Sequence, residues 1–299
     1  MGMNALEEFR QSVGPRGPVA VVGGRTRWQL GGSVDPQARL VAAPQGIKAL
    51  DPSEMTVSLG AGTLLAALDE ALAEHGQEVA LDGPPGATVG GALAVGHDSL
   101  RRRRIGSARD VLLQADYVDA QGALIKAGGP TVKNVTGYDL CRLLVGSLGT
   151  LGFFGQVILR TRPRPEATRW LSGAASPQRF LTEIYRPATI LWDGQQTAVC
   201  LEGYQEDVEK QAMKLHSLGL EMSGPLCPMV LPPHRQRLTE GPLKSGTIAD
   251  VGSSVLYAPQ PAEAPMIAPE VQRVVDRLRH QFDPEGRLNP GRNPQRMST

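Results

Sequence analysis

The sequence predicts a mixed α+β fold in two domains closed by a C-terminal helix, and three observations predict it. Short β-branched runs, Pro18 to Val22 and Met55 to Leu59, lead straight into glycine turns, the pattern of strands entering backbone-rich loops. After an abrupt Arg162-Pro163-Arg164-Pro165 stretch the order becomes strand, helix, strand, strand, helix, strand, that of a ferredoxin-like unit. Finally, Val271, Val274, Val275, Leu278 and Phe282 fall at i, i+3, i+4, i+7 and i+11, an amphipathic helix begun by Pro269. The expected boundaries are residues 1–165, 166–268 and 269–299.

The elements follow in chain order. Gly60-Ala61-Gly62 ends the second strand, and Leu64, Leu65, Leu68 and Leu72 then keep one helical face apolar as far as Gly76. Glu78 to Leu81 reads as a returning strand, which would make a β-α-β unit. A Gly/Ala-dense stretch runs from Pro84 to Gly96, Val111 to Val118 is strand-like, and a second dense region covers Lys133 to Leu159. Past the linker come strands at Arg169 to Gly173, Thr189 to Trp192, Thr197 to Glu202 and Leu220 to Ser223, with helices at Pro177 to Tyr185 and Asp207 to Leu218. Prolines break the region from Gly224 to Pro269, which should be loop apart from a strand at Ser253 to Tyr257. The final helix has an apolar stripe that must dock on something.

Composition removes several classes of function. Lys+Arg 31 against Asp+Glu 30 gives a net charge of +1, and aromatics are 4% of the 299 residues, so neither a global field nor a supply of stacking rings points to nucleic acid. Three widely spaced cysteines, Cys141, Cys200 and Cys227, suit reduced thiols and offer no iron–sulfur or disulfide framework. The five histidines form no metal-binding pair, so no metal site is expected. The N-terminal MGMNALEEFRQSVGPRG has acidic residues and no apolar run, and no later stretch has the length of a membrane span, so a cytoplasmic protein is expected.

The chemistry lies in the glycine loops. VGGRTRWQLGG at 22–32 places small residues after a strand, where backbone N–H groups can converge on an anion such as a pyrophosphate; the same residues also suit a tight turn with no ligand. It is not a Walker A loop, since Gly31 is followed by Gly32 and not by Lys-Ser/Thr. Gly60-Ala61-Gly62 follows a strand, opens a helix and has Asp82 about twenty residues on, as a Rossmann site would, but Leu65 stands where the third small residue belongs, and a plain βα turn is the better reading. The third loop, PPGATVGGALA from Pro84 to Ala94, has room for a flat ligand against its backbone. The fourth, Lys133 to Leu140, leads into Gly146-Ser147-Leu148-Gly149-Thr150-Leu151-Gly152, and four such loops in one domain suggest one long cofactor.

VVGGRTRWQLGG, PPGATVGGALAVG, RRRRIGSARDVLL, VKNVTGYDLCRLLVGSLGTLG and FDPEGRLNPGR, in that order, resemble the FAD-binding PCMH-type (vanillyl-alcohol oxidase-like) flavoproteins, and among these the FAD-binding subunits of glycolate oxidase. The resemblance implies a two-subdomain FAD-binding domain, a ferredoxin-like cap and a C-terminal helix and tail returning to the FAD domain. It implies cofactor contacts from Gly23, Gly24, Arg25, Thr26, Pro85, Gly86, Ala87, Thr88, Gly90 and Gly91 around the pyrophosphate. Lys133, Asn134, Gly137, Tyr138, Asp139, Gly152 and Phe153 would line the rest, and Asn289 would close the site near the flavin. Arg25 stands where covalent members often carry histidine, so the FAD is expected to be non-covalent.

Two departures bear on activity. The cap has no histidine-rich HxGDGNxH-like signature, and oxidation of a hydroxy acid needs a base at the hydroxyl and commonly an arginine fork on the carboxylate. His234-Arg235 is the only adjacent His-Arg pair there and reads as an exposed loop, so no catalytic residue is assigned. Arg101 to Arg104 reads as a solvated run or a partner contact, and Cys141 as a buried small hydrophobe. The resemblance implies an FAD-dependent oxidoreductase subunit that passes electrons from a 2-hydroxy acid to partners, a larger FAD subunit and an iron–sulfur subunit. Any membrane association would come through those partners. The alternative is a non-catalytic assembly subunit that binds FAD only to hold its fold.

Overall fold

The computed structural model of the chain describes residues 4–129, 139–262 and 267–297. These fall into two compact units, one drawn from the described parts of Met1–His97, Ser107–Pro163 and Met266–Met297, the other from Asp98–Gly106 and Arg164–Pro265.

In the first unit, helix α1 (Ala5–Val13) is capped by the Asn4 side chain, which accepts from the Leu6 amide, and it buries Phe9 and Val13. Strand β1 (Val19–Val21) pairs in parallel with β2 (Arg39–Val41), and the C-terminal tail is joined to it by a parallel bridge from Leu288 to Val19. Phe9, Val13, Val19, Val41, Val118, Phe153 and Leu288 share one apolar core. The main sheet has five antiparallel strands, in the order β3 (Ile47–Asp51), β4 (Thr56–Gly60), β8 (Phe153–Arg160), β6 (Leu112–Val118) and β7 (Leu124–Gly128). Helix α2 (Leu65–Ala73) buries Leu65, Leu68 and Leu72, the stripe its sequence spacing requires.

The β-α-β unit expected around α2 does not form. Only Gln77–Glu78 is strand, β5, and it pairs antiparallel with β9 (Arg162–Pro163) in a sheet separate from β4. The buried Gln77 side chain explains this: its Nε2 donates to the Pro52 carbonyl at 2.8 Å and its Oε1 accepts from the Thr161 hydroxyl at 2.6 Å. Two short helices complete the frame, α3 (Val89–Val95) and α5 (Leu140–Leu144).

The second unit is a seven-stranded antiparallel sheet. Strand β10 (Ala167–Gly173), α6 (Gln178–Glu183), β11 (Thr189–Trp192), β12 (Thr197–Gly203), α7 (Gln205–Ser217) and β13 (Glu221–Gly224) follow the strand-helix alternation of the sequence, with spatial order β13-β10-β12-β11. The proline-broken region is less loop-like than its composition suggests. It supplies β14 (His234–Arg237), β15 (Ile248–Asp250) and β16 (Val255–Ala258), which extend the sheet beyond β11, and Ile248, Val255 and Tyr257 bury against Trp170 and Leu191. His234-Arg235 is therefore in a paired strand and not in an exposed loop.

The arginine run also differs from its sequence reading. It forms α4 (Arg102–Ile105) within this unit, and its side chains are engaged. Arg101 pairs with Glu202 at 2.7 Å and Arg102 with Asp98 at 2.9 Å, while Arg103 and Arg104 donate to the carbonyls of Gly252 and Glu202 at 3.2 and 3.1 Å. Charge repulsion within the run is offset by the nearby Asp98 and by acceptors distant in sequence at Glu202 and Gly252.

Helix α8 (Pro269–Phe282) begins at its proline as expected, yet it buries none of its residues, and Val271 and Val274 are 53% and 55% exposed. What docks in the first unit is the tail after it: Arg287, Leu288, Asn289 and Arg292 are all buried. Among the described residues no helix is long and apolar enough to cross a membrane.

Candidate functional site

A cleft in the first unit encloses about 920 Å³ of empty space, counting the part open to solvent. Its walls come from the loop after β1, the turn before α3 with the first residues of α3, the Leu148–Phe154 region, and the tail.

The first wall is built where β1 runs out of partners. Val22 donates its amide to the Val41 carbonyl at 2.7 Å, the last rung. Among the described residues, the next four amides, those of Gly23, Gly24, Arg25 and Thr26, have no protein acceptor, although all four residues line the cleft. Arg25 adopts the left-handed region at φ 55°, and the loop closes where the Trp28 amide donates to the Arg25 carbonyl at 3.3 Å. All four residues are exposed, so these amides are open to solvent on the cleft wall, where a run of free N–H groups can receive an anion.

The second wall presses directly on the first. A Cβ on Gly24 would stand 1.7 Å from the Gly86 carbonyl oxygen, and one on Gly23 would stand 2.4 Å from Thr88 Oγ1. Glycine is thus required here for loop-on-loop packing as much as for ligand approach. Thr88 caps α3 by accepting from the Gly91 amide at 3.2 Å. Gly90 donates to the Ala61 carbonyl at 2.7 Å and rests against Ala61, where a Cβ would find atoms at 2.9 Å.

Asn289 joins the tail to the third wall. Its Oδ1 accepts from the Val21 amide at 3.1 Å, and its Nδ2 donates to the Leu148 carbonyl at 2.6 Å. Leu148 and Asn289 are both left-handed, at φ 52° and 44°, and a Cβ on Gly149 would stand 2.6 Å from the Asn289 amide nitrogen. Electrostatically the cleft is one-sided among the described residues, with Arg25, Arg27 and Arg292 in its lining and no carboxylate. Burial holds the Arg292 guanidinium below the usual arginine value.

Of the residues singled out in the sequence, Gly23, Gly24, Arg25, Thr26, Ala87, Thr88, Gly90, Gly91, Gly152, Phe153 and Asn289 line this cleft. Pro85 and Gly86 stand just outside the lining, Gly86 as the carbonyl on which Gly24 packs. Asp139 caps α5, accepting from the Arg142 amide at 3.1 Å, and Lys133, Asn134, Gly137 and Tyr138 lie outside the described residues. Sequence reasoning assigned no cofactor contact to Trp28, Phe154 or Arg292, and it named Ala61 and Gly62 only in the rival turn and Leu148 only within its loop.

The rival turn at Gly60 has no donors left for a phosphate. The amides of Gly60, Ala61, Gly62 and Thr63 donate to the carbonyls of Gly46, Gly155, Pro44 and Gly60 at 2.7–3.0 Å. Gly62 does line the cleft, contributing bulk-free surface. The thiols are remote from any redox role: burial raises Cys141 to about 11 and raises Cys200 further, so both stay protonated at neutral pH. No cluster of potential metal ligands occurs among the described residues.

Residues 7–128 match the family model described as FAD binding domain, and the chain carries an FAD-binding domain of the PCMH type, which indicates FAD as cofactor. The glycine cradle and unpaired amides fit a dinucleotide. More particularly, the chain is related to glycolate oxidase subunits and D-lactate dehydrogenases. It is 35% identical to glycolate oxidase subunit GlcE of Escherichia coli over 182 residues, 60% of this chain and 52% of that protein. With D-lactate dehydrogenase of Archaeoglobus fulgidus the identity is 36% over 152 residues, 49% of this chain and 34% of that one. The matched region thus spans about half, or less, of these relatives. An alkyldihydroxyacetonephosphate synthase structure covers 74% of this chain and 52% of its own at TM-score 0.61 and 14% identity, which establishes a shared fold.

Proposed function

We propose that this chain is the FAD-binding subunit of a heteromeric glycolate or other 2-hydroxy-acid oxidase or dehydrogenase, holding its FAD non-covalently. The observation that carries the reading is the run of four amides without an acceptor among the described residues, on the wall of a cleft lined mostly by glycine, alanine and valine. Non-covalent binding is supported by Arg25 at the first loop and by the lack of histidine, cysteine or tyrosine among the lining residues. When bound, FAD accepts two electrons from an organic substrate and can release them singly. The protein residues shape the site: Asn289 fixes the two walls, Thr88 holds α3, and the arginines set a positive potential.

The substrate class and the partners rest on the relatives, which include glycolate oxidase subunits GlcE of Escherichia coli and GlcD of Bacillus subtilis. Three dispersed cysteines cannot hold an iron–sulfur cluster, so electrons leaving this flavin would pass to a larger flavin subunit and an iron–sulfur subunit. Membrane association, where it occurs, would be through those subunits.

A second reading, a non-catalytic subunit whose FAD supports assembly, is favoured by one specific observation. Among the described residues the cleft lining includes no carboxylate, histidine, lysine, cysteine or tyrosine to take the substrate hydroxyl proton. Mixing the FAD-loaded chain anaerobically with glycolate or D-lactate separates the two readings. Little bleaching of the flavin band is expected from the chain alone, with bleaching restored by partner subunits under the catalytic reading and not restored under the assembly reading. Rapid bleaching by the isolated chain would overturn partner dependence. A folded, colourless protein that takes up no FAD would remove both readings, and flavin that stays with the acid-precipitated pellet would contradict non-covalent binding.

A further inference from the structure

Two arginines of the C-terminal tail are almost fully buried, and they are satisfied in different ways. Arg287, 4% exposed, donates to the carbonyls of Gly17, Ala120, Val13 and Arg16 at 2.8–3.3 Å. The carboxylates of Asp283, Glu285 and Asp119 also favour its charge. Arg292, 6% exposed, donates to the carbonyl of Leu30 alone, and its guanidinium lies 4.8 Å from the centroid of the Trp28 ring. Among the described residues no carboxylate pairs with it, and no acidic group favours its charged form. A guanidinium has five N–H donors, and none of the Arg292 nitrogens is among the fully buried unpartnered atoms, so those not bonded to Leu30 are open to the cleft that the residue lines. Arg287 is the profile of a structural staple. Arg292 is the profile of a group whose counter-charge arrives with a ligand.

Its surroundings define that ligand. Trp28 and Leu30 belong to the same loop as the acceptor-free amides of Gly23 to Thr26, and the Arg25 guanidinium also lies over the Trp28 ring, 5.4 Å from its centroid. Cations and free backbone donors therefore meet at one loop, in a lining that has no carboxylate among the described residues. We propose that Arg292 is an anion-binding residue of the cleft and that its counter-ion is the pyrophosphate of the bound dinucleotide, with Trp28 as the platform that holds the guanidinium in place. This rests on the cleft being the FAD site. A phosphate-type anion is favoured over a substrate carboxylate because the free amides and the cation share the loop after β1.

The test compares apoprotein of the native sequence with Arg292→Met and Arg292→Lys for binding of FAD, ADP, inorganic pyrophosphate, riboflavin and glycolate, at several salt concentrations. Arg292→Met should weaken FAD, ADP and pyrophosphate about tenfold or more while riboflavin changes less than about threefold, and it should flatten the salt dependence of FAD binding. Arg292→Lys keeps the charge but not the fork and should fall between the two; should the Met variant not fold, the Lys variant carries the same comparison. Equal losses for riboflavin and FAD would make Arg292 a staple and overturn the proposal, as would unchanged FAD affinity or a loss confined to glycolate. If the native protein takes up no FAD, the FAD reading fails separately. The pyrophosphate arm then still decides for or against Arg292, through a rise in melting temperature that the Met variant should lack.

Discussion

The loop after β1 and the turn after β4 start from nearly the same sequence, a β-branched strand running into small residues, and end with opposite hydrogen-bonding states. At 60–63 every amide has a carbonyl from elsewhere in the chain; at 23–26 none has one among the described residues. Both turns line the cleft, and both need glycine because backbone lies against them: Gly62 faces the Ala43 carbonyl at 2.3 Å from its would-be Cβ, and Gly24 faces that of Gly86 at 1.7 Å. A glycine signature therefore marks close backbone approach, and it does not say whether the approaching group is protein or ligand. The state of the amides makes that distinction.

The most direct way to break the comparison is hydrogen exchange on the apoprotein and the FAD-loaded protein. Amides of Gly60 to Thr63 should be protected in both, while those of Gly23 to Thr26 should exchange freely without FAD and slow about 100-fold or more with saturating FAD. Unchanged exchange at Gly23 to Thr26 on loading would place the cofactor elsewhere.

Next in size is Gly24→Val, which drives a side chain into the Gly86 carbonyl and cannot be relieved by a rotamer change. A loss of about 3 kcal/mol in stability, at the upper end for overpacking, together with loss of flavin uptake, should appear in thermal melts and flavin titrations. Asn289→Ala leaves the half-buried Val21 amide and the buried Leu148 carbonyl unpaired, costing about 2 kcal/mol in chemical denaturation, and should weaken FAD binding because two walls lose their tie.

The smallest expected effect on the cofactor is that of Gly62→Ala. Its Cβ would crowd the Ala43 carbonyl, lowering stability by about 1–2 kcal/mol, but the folded fraction should bind FAD with nearly unchanged affinity because no ligand-facing donor is lost. A flavin titration corrected for folded fraction checks it, and an affinity loss as large as that of Asn289→Ala would put ligand contact at the Gly60 turn after all.

Much of the frame was legible from local chemistry. The apolar spacing of α2, the proline at the start of α8 and the strand-helix alternation of the second unit follow from periodicity and turn composition, whereas the expected residues that line the cleft came from the family resemblance. The misreadings share a cause. β14, β15 and β16 are short strands held by neighbours across the sheet, the fate of Gln77–Glu78 depends on Thr161 and Pro52, and the arginines of α4 find acceptors at Glu202 and Gly252. Each is decided by partners that no window of sequence contains.

By itself, then, the sequence determined where the chain must turn, which faces are apolar and that several small-residue loops exist, because dihedral freedom and side-chain periodicity are local properties. Only the tertiary structure decided which of those loops keeps its donors free, that the exposed stripe of α8 is not what anchors the C-terminal region, and that Arg292 is buried without a carboxylate. Hydrogen-bond satisfaction and charge compensation depend on which distant groups come within about 3–4 Å, and that is a property of the folded chain.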